Sequence, residues 1–187
     1  VFHTAAGREV RDGGGVSPDI EVKQERLPNI LFYLVRDNLI FDYATDYCLK
    51  HPAIASAKEF ELTDADYEEF KNKVKGADFK YDQQSEKILN TLKEAAEFEG
   101  YMKDASDEFK ALENKLKHNL DRDLDYFSKD IKKMIAEEII KRYYYQEGAI
   151  IQQLKDDKDL DEAVKVLTNP ERYQQILSVT AVTAKKE

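Results

Sequence analysis

The chain has 187 residues, of which 36% are charged, and its 38 acidic and 29 basic side chains give a formal net charge of −9 at pH 7. Because an acidic chain repels phosphate backbones and anionic lipid headgroups, nucleic-acid and membrane-surface partners are not expected. No apolar run is as long as the about 18 residues that a membrane-spanning helix needs. No signal peptide is recognisable. The single cysteine, Cys48, rules out an internal disulfide and is expected to be a buried small hydrophobe.

The first two dozen residues are a β-type passage at the start of a chain whose remaining sequence has a helical pattern. Val1–Ala5 is rich in β-branched and aromatic residues, and Glu9–Arg11 fits a short second strand. In Ile20–Val22 two apolar residues flank an acidic one, the period of a strand with one buried face. A lone hairpin has no sheet to join, and the chain does not begin with methionine. We therefore expect residues 1–26 to be the last strands of a larger domain.

The glycines of this passage predict a loop. Asp12-Gly13-Gly14-Gly15 needs positive φ angles, which glycine adopts without a Cβ clash. A glycine-rich loop can also cradle a phosphate in front of a helix. Here Pro18 and a strand pattern come next, and no Lys-Ser or Lys-Thr pair follows, so a tight turn is the better interpretation.

From Pro28 onward apolar residues recur at spacings of three and four, which predicts amphipathic helices. The predicted helices cover about residues 28–51, 63–76, 82–102, 109–120, 124–147, 160–167 and 173–177. Each has an apolar side that needs a partner, and we expect the other helices to supply it. The sequence thus predicts a mainly α fold, a helical bundle over residues 27–180 preceded by a short β-hairpin, with a frayed tail at 181–187.

Local signals mark several helix ends. His51-Pro52 should end the first helix, because the residue before proline avoids the α region. Thr63 is placed to cap the second helix, with acids in the first turn behind it. Gly76 should stop that helix. We expect Gly100 only to loosen the third helix, and Gly148 to interrupt or cap the longest one.

Two acidic triplets have the spacing of the first ligands of a calcium loop, Asp121-Asp123-Asp125 and Asp157-Asp159-Asp161. Both lack the glycine needed at the sixth position and the glutamate needed at the twelfth, so they are better interpreted as acids at helix N-termini. The three histidines are too far apart for zinc-ligand spacing, and the Glu-x-x-His pattern of a di-metal bundle is absent. We therefore predict no metal site and no cofactor.

Eleven residues of the N-terminal passage follow an ordered motif, Thr-x-x-Gly-Arg-x-apolar and then Gly-Gly-apolar-x-Pro-Asp-apolar-x-apolar. They are Thr4, Gly7, Arg8, Val10, Gly14, Gly15, Val16, Pro18, Asp19, Ile20 and Val22. The passage resembles the end of the catalytic domain of the carboxy-terminal processing proteases, also called tail-specific proteases, which are serine peptidases. Two helical passages are similar to the C-terminal extension of some members, Phe41-Asp42-Tyr43-Ala44 with His51-Pro52, and Glu138–Tyr144.

The resemblance implies that the reactive machinery lies outside this chain. In the family a serine nucleophile is paired with a lysine base, and both precede the Gly-Arg segment, as does the usual peptide-recognition (PDZ) module. We therefore assign no catalytic residue, and we expect this chain alone to lack peptidase activity although its parent would be an enzyme. The motif residues expected to be structural are Gly7, Arg8, Gly14, Gly15, Pro18 and Asp19.

The most unusual helical passage is Arg142-Tyr143-Tyr144-Tyr145, called the tyrosine segment below. At about 100° per residue three consecutive rings fan around a helix, so at least one should lie on a rim or surface. Tyrosine suits protein interfaces because it combines a large apolar ring with a hydroxyl. One interpretation is a contact surface for the peptidase core or for a second copy. The other is a partly buried helix end with Arg142 near its C-terminus.

These observations predict the non-catalytic C-terminal helical region of a carboxy-terminal processing serine peptidase, acting in docking, oligomerisation or substrate gating. The implied partners are the rest of the parent, its protein or peptide substrates and a second copy. By the same resemblance the parent would be periplasmic or located in the cell envelope. The alternative is a stand-alone helical interaction module with no enzymatic parent, whose N-terminal hairpin is merely a tail.

Overall fold

A computed structural model describes residues 2–5, 7–10, 15, 18–23 and 26–178 of the chain. Within those residues the fold consists of nine α-helices and one two-stranded antiparallel hairpin, so the predicted mainly α fold class is confirmed. The chain divides into two compact units. The terminal unit comprises residues 1–25 and 154–187, and the central unit comprises residues 26–153. The predicted division into residues 1–26, 27–180 and 181–187 stays a prediction.

The N-terminal hairpin pairs β1 (Phe2–His3) with β2 (Glu9–Val10), so that Phe2 faces Val10 and His3 faces Glu9. A tight turn joins the two strands. The backbone N–H of Gly7 donates to the Thr4 carbonyl at 2.8 Å, and the N–H of Arg8 donates to the Thr4 hydroxyl at 3.1 Å. Gly7 has a φ of 81°, a value that glycine reaches without strain.

The prediction of a third strand at Ile20–Val22 is wrong. Asp19 and Ile20 form a bend, and residues 21–23 are assigned to no strand. The alternation that suggested a strand is nevertheless real, because Ile20 and Val22 are half-buried while Glu21 is exposed. With no strand beside it in the described part of the terminal unit, the segment packs its apolar side chains against helices instead.

The central unit contains seven helices. They are α1 (Asn29–Arg36), α2 (Leu39–Lys50), α3 (Asp64–Gly76), α4 (Gln84–Phe98), α5 (Met102–Leu116), α6 (Leu120–Tyr126) and α7 (Ser128–Gln153). Helix α2 packs against α7, α1 and α3, and α6 packs against α3 and α7. The core that they enclose includes the fully buried side chains of Ile30, Leu31, Leu34, Phe70, Val74, Leu124, Ile131, Ile135, Ile139 and Ile140.

The first helix was expected to run unbroken over residues 28–51, and this expectation is wrong. The chain breaks between α1 and α2 at Asn38, which has a left-handed φ of 58°. The reason lies in the apolar spacing: Leu34 and Leu39 are both buried but stand five positions apart. A straight helix would turn them about 140° away from each other. The break lets both side chains face one core, and asparagine tolerates the left-handed conformation better than most residues.

Gly100 ends a helix instead of loosening it, so the predicted helix over residues 82–102 is too long. Its φ is 85°. The N–H of Gly100 donates to the Glu97 carbonyl at 3.1 Å, and the N–H of Tyr101 donates to the Ala96 carbonyl at 2.8 Å. This is the Schellman pattern of a helix C-terminus. Helices α4 and α5 therefore form a tight helical hairpin.

Other predicted helix ends are confirmed. Thr63 precedes α3 and forms a capping box with Asp66, in which each side chain accepts a hydrogen bond from the other residue's N–H. His51 ends α2 in an extended conformation before Pro52. Helix α3 ends at Gly76 as predicted.

The C-terminal part of the terminal unit contains a 3₁₀ turn at Leu154–Asp156 and two helices, α8 (Lys158–Leu167) and α9 (Pro170–Leu177). The two helices pack together, and an ion pair joins Glu162 to Arg172 at 2.5 Å. The predicted tail at 181–187 lies outside the described residues. No helix in the described part of the chain is long and apolar enough to cross a membrane.

Candidate interaction surfaces

The structure brings together two of the motif residues in the terminal unit. The guanidinium of Arg8 forms an ion pair with the carboxylate of Asp19. Gly15 has a φ of 81°, as Gly7 does, and Pro18 is exposed just before Asp19. Gly14 lies outside the described residues. The Arg8–Asp19 pair connects two motif residues that lie eleven positions apart. The structural role of the motif residues stays a prediction.

Arg142, the first residue of the tyrosine segment, connects α7 to α2. Its Nη1 donates to both the carbonyl and the Oε1 of Glu138, at 2.7 Å each. Its Nη2 donates to the Phe41 carbonyl at 3.1 Å and to the Thr45 hydroxyl at 3.2 Å. The guanidinium also lies over the Phe41 ring, 4.6 Å from its centroid, a cation–π contact. These bonds use most of the donors of Arg142 within the protein itself.

The next two tyrosines hold the connection that follows α2. The Tyr143 hydroxyl donates to the carbonyl of His51, and the Tyr144 hydroxyl donates to the carbonyl of Ala55 at 3.0 Å. Burial, together with a hydrogen bond to Cys48, raises the pKa of Tyr143 to about 12. The neutral hydroxyl is therefore retained as a donor throughout the neutral pH range. Cys48 itself is half-buried, not fully buried as predicted.

Tyr145 has a backbone conformation that is unusual for a residue with a side chain. Its φ is 55° and its ψ is −151°, inside a helix that is otherwise regular. This region is essentially restricted to glycine and costs on the order of 1–3 kcal/mol for other residues. The ring of Tyr145 is 78% exposed, so the side chain gains little burial there.

At Tyr145 helix α7 reverses its direction. A Cβ added to Gly148 would lie 2.9 Å from the Ile140 side chain, although residues eight apart in a straight helix are separated by about 12 Å. Farther on, Gln153 donates from its side-chain amide to the carboxylate of Glu137. The predicted interruption at Gly148 is therefore misplaced. The break is at Tyr145, and Gly148 is a buried packing position between the two arms of α7.

Most side chains of the tyrosine segment thus make contacts inside the central unit. Tyr143 and Tyr144 face the 51–55 connection, and only the ring of Tyr145 is largely free of protein contact. The interpretation as a contact surface for another protein stays a prediction, with Tyr145 as the residue available for it.

A buried carboxylate escaped prediction from the sequence. Asp123, in the first turn of α6, is 3% exposed. Its Oδ2 accepts hydrogen bonds from the Tyr81 hydroxyl at 2.6 Å and from the Gln83 amide at 2.9 Å, and its Oδ1 pairs with Arg122 at 3.0 Å. Burial and the bond to Asp123 raise the pKa of Tyr81. The sequence did contain a sign of this burial. Asp123 lies four residues before Phe127, and so on the same side of a helix as an apolar residue.

The remaining members of the two acidic triplets behave as ordinary helix acids. The Asp157 side chain caps α8 by accepting from the N–H of Leu160 at 2.9 Å. Asp121 and Asp125 are largely exposed and pair with lysines of α3. Among the described residues no group of three or more His, Cys, Asp or Glu side chains could hold a metal ion.

The α4–α5 hairpin of the central unit carries five exposed large apolar side chains. Between its two helices Leu89 and Ala96 are buried, and Lys93 of α4 pairs with Glu113 of α5 at 2.7 Å. Helix α5 covers only part of the apolar side of α4. The side chains left exposed are Ile88 (59%), Leu92 (51%), Phe98 (94%), Tyr101 (62%) and Leu112 (42%). The expectation that the other helices cover every apolar stripe is wrong for this hairpin.

A second apolar surface lies within the terminal unit. A groove of about 380 Å³ runs between the Asp19–Val22 segment and helices α8 and α9. Its lining is mostly apolar, with contributions from Ile20, Val22, Ala163, Val166, Leu167, Tyr173, Ile176 and Leu177.

Comparison with known proteins identifies a family for this chain. A family model described as the C-terminal helical domain of a probable PDZ-protease matches residues 30–167, more than half of the chain. The match covers α1 to α8 and begins after the N-terminal passage that carries the sequence motif. It confirms the resemblance to the C-terminal part of a processing protease. No curated protein and no solved structure matches the chain.

Proposed function

We propose, from the premise that this chain belongs to the family of C-terminal helical domains of probable PDZ-proteases, that it is a non-catalytic docking element of a carboxy-terminal processing serine peptidase. The observation that carries the docking role is the uncovered apolar face of the α4–α5 hairpin. Exposed apolar groups that lie together on one element are typical of protein–protein contact sites.

The occupant that we propose for this face is the peptidase core of the same parent. Ile88 and Leu92 are four residues apart on one side of α4, and Leu112 of α5 is also exposed. Two helices whose apolar sides are only partly covered by each other need a third surface to bury the remainder. A core that belongs to the same polypeptide would meet this face at a high effective concentration.

The chemistry itself would come from the parent, through a serine nucleophile and a lysine base that precede this chain. The N-terminal motif supports this assignment because it resembles the end of such a catalytic domain. The Arg8–Asp19 ion pair joins two residues of that motif. Protein and peptide substrates, and a periplasmic or cell-envelope location, belong to the same proposal.

The test separates the helical region from the peptidase core and measures their association. The double substitution Ile88→Asp and Leu92→Asp places two charges on the proposed docking face. We expect it to weaken binding of the isolated core by at least about tenfold, because a central apolar contact is then replaced by buried charge. Leu49→Asp is the control, since Leu49 is 80% exposed and belongs to α2, a different element from the hairpin.

Other roles give different results in the same experiment. If the double variant changes the mass of the chain alone in light scattering, the face is a contact between two copies. If it changes the cleavage rate of an unstructured peptide by the full-length enzyme but leaves core binding intact, the hairpin gates substrate. Equal binding by the wild type, the double variant and the control contradicts docking through this face.

A further inference from the structure

Where helix α7 folds back, some features stabilise the folded-back conformation and others destabilise it. The unfavourable ones are the glycine-type conformation of Tyr145 and the side-chain carbonyl of Gln152, which is buried without a hydrogen-bond partner. The favourable ones are the burial of Gly148 and Ala149 against the first arm and the bond from Gln153 to Glu137. The second arm thus rests on few contacts.

The alternative conformation of the same residues is a continuous helix. If Tyr145 took ordinary helical angles, its backbone strain would disappear, and the amide of Gln152 would be free to reach water. The contacts of Gly148, Ala149 and Gln153 with the first arm would be lost. Both states keep the helical hydrogen bonds within each arm, so the terms at the hinge and in the packing of the second arm set the balance between them.

We infer that α7 is a two-state element with a hinge at Tyr145, folded back in the structure and able to straighten. The first arm is held in both states, because Arg142, Tyr143 and Tyr144 attach it to α2 and to the connection after α2. The hinge follows these residues directly, so movement is confined to the residues from Gln146 onward. This inference rests on the geometry of α7 and does not depend on the proposed docking function.

Straightening would have a large consequence for the chain that follows. In a continuous helix Lys129 and Gln153 would be about 36 Å apart, given a rise of 1.5 Å per residue. In the folded-back state Gln153 contacts Glu137, which is only about 12 Å along the helix from Lys129. Leu154 follows Gln153 directly, so straightening also moves the point at which the chain leaves the central unit.

The test is a distance measurement between spin labels at positions 129 and 151 in the full chain. Cys48→Ala removes the single native thiol, and Lys129→Cys and Ile151→Cys introduce the labelling sites, both exposed. Gln153 and Glu137 stay unchanged, so their bond is kept. We expect a dominant short distance and a minor component longer by about 20 Å, the difference between the two states.

Two substitutions at the hinge differ only by one methyl group. Tyr145→Gly and Tyr145→Ala both remove the exposed ring, but glycine accepts the observed φ and ψ, whereas alanine is the best helix former. We expect Tyr145→Gly to abolish the long component and Tyr145→Ala to increase it by about threefold or more. Identical distance distributions for the two variants would overturn the inference.

A second pair of variants acts on the packing of the second arm. A Cβ at position 148 would lie 2.3 Å from the Cβ of Tyr144, so Gly148→Ala should also increase the long component. Gly76→Ala is the control, because nothing lies within 4 Å of a Cβ added there. If Gly148→Ala gives a broad distribution with loss of helical circular dichroism, the second arm melts instead of straightening, and the inference fails. If Gly148→Ala does not fold, the comparison of Tyr145→Gly with Tyr145→Ala still tests the hinge.

Discussion

At the residue scale, Asp123 shows how a single carboxylate can join distant parts of the chain. It accepts hydrogen bonds from Tyr81 and Gln83, which lie some forty positions earlier, before α4. A buried charge is tolerated only when it is hydrogen-bonded or paired, and Asp123 is both. The neighbouring Asp121 has the same residue type and lies in the same helical turn but is exposed. The two acids therefore form a matched pair for mutagenesis.

We predict that Asp123→Ala lowers the free energy of unfolding by about 2–3 kcal/mol, because the Tyr81 hydroxyl and the Gln83 amide lose a charged acceptor in a buried place. Asp121→Ala should cost less than about 1 kcal/mol, since it removes only a surface ion pair with Lys75. Urea denaturation followed by circular dichroism measures both. Similar losses for the two variants would show that the Asp123 cluster contributes no more than a surface pair.

At the element scale, the helix ends follow local chemistry, while the pairing of the helices does not. The capping box of α3 and the asparagine cap of α9 use the side chains that the sequence offers at those points. The break at Asn38 and the reversal at Tyr145 are different. Each lies inside a stretch with a helical apolar pattern and places buried residues on both sides against other parts of the central unit.

The capping box gives a prediction for α3. Thr63→Ala should lower the free energy of unfolding by about 1 kcal/mol, because the N–H of Asp66 loses its side-chain acceptor at a helix start. Thr91→Ala, in the exposed middle of α4, should change stability by no more than about 0.5 kcal/mol. Chemical denaturation of the two single variants is the measurement. A loss at position 91 equal to that at position 63 would argue against a specific cap.

At the scale of the whole molecule, the buried core belongs to one unit. Every buried apolar side chain in the described part of the chain lies between Ile30 and Ala149, inside the central unit. The helices α8 and α9 contain no buried residue. A folding unit needs a hydrophobic core of its own, and by this criterion residues 26–153 qualify.

We therefore predict that residues 26–153, expressed alone, fold cooperatively with a urea midpoint within about 0.5 M of that of the full chain. Residues 51–153 are the control. They lack α1 and α2, and with these helices the buried side chains of Ile30, Leu34 and Tyr43. This shorter piece should show no cooperative transition. A non-cooperative transition for residues 26–153 would mean that the terminal unit completes the core.

The sequence by itself determined the helical class, several helix ends and the family resemblance. These depend on spacing and on interactions between residues a few positions apart, such as Thr63 with Asp66, and such signals are complete in the local chain. The rejection of the calcium loops rests on the same kind of local signal, since both triplets fail at fixed positions of the motif.

Only the tertiary structure decided which apolar residues are covered. Ile88 and Leu92 continue the same pattern as Leu89, yet only Leu89 is buried, because burial depends on where another helix lies. The bond partners of Asp123 and the reversal at Tyr145 also come from residues distant in sequence or from packing around Gly148. Which long-range contacts form depends on the free energy of the whole assembled core. The spacing of residues within one segment does not determine them.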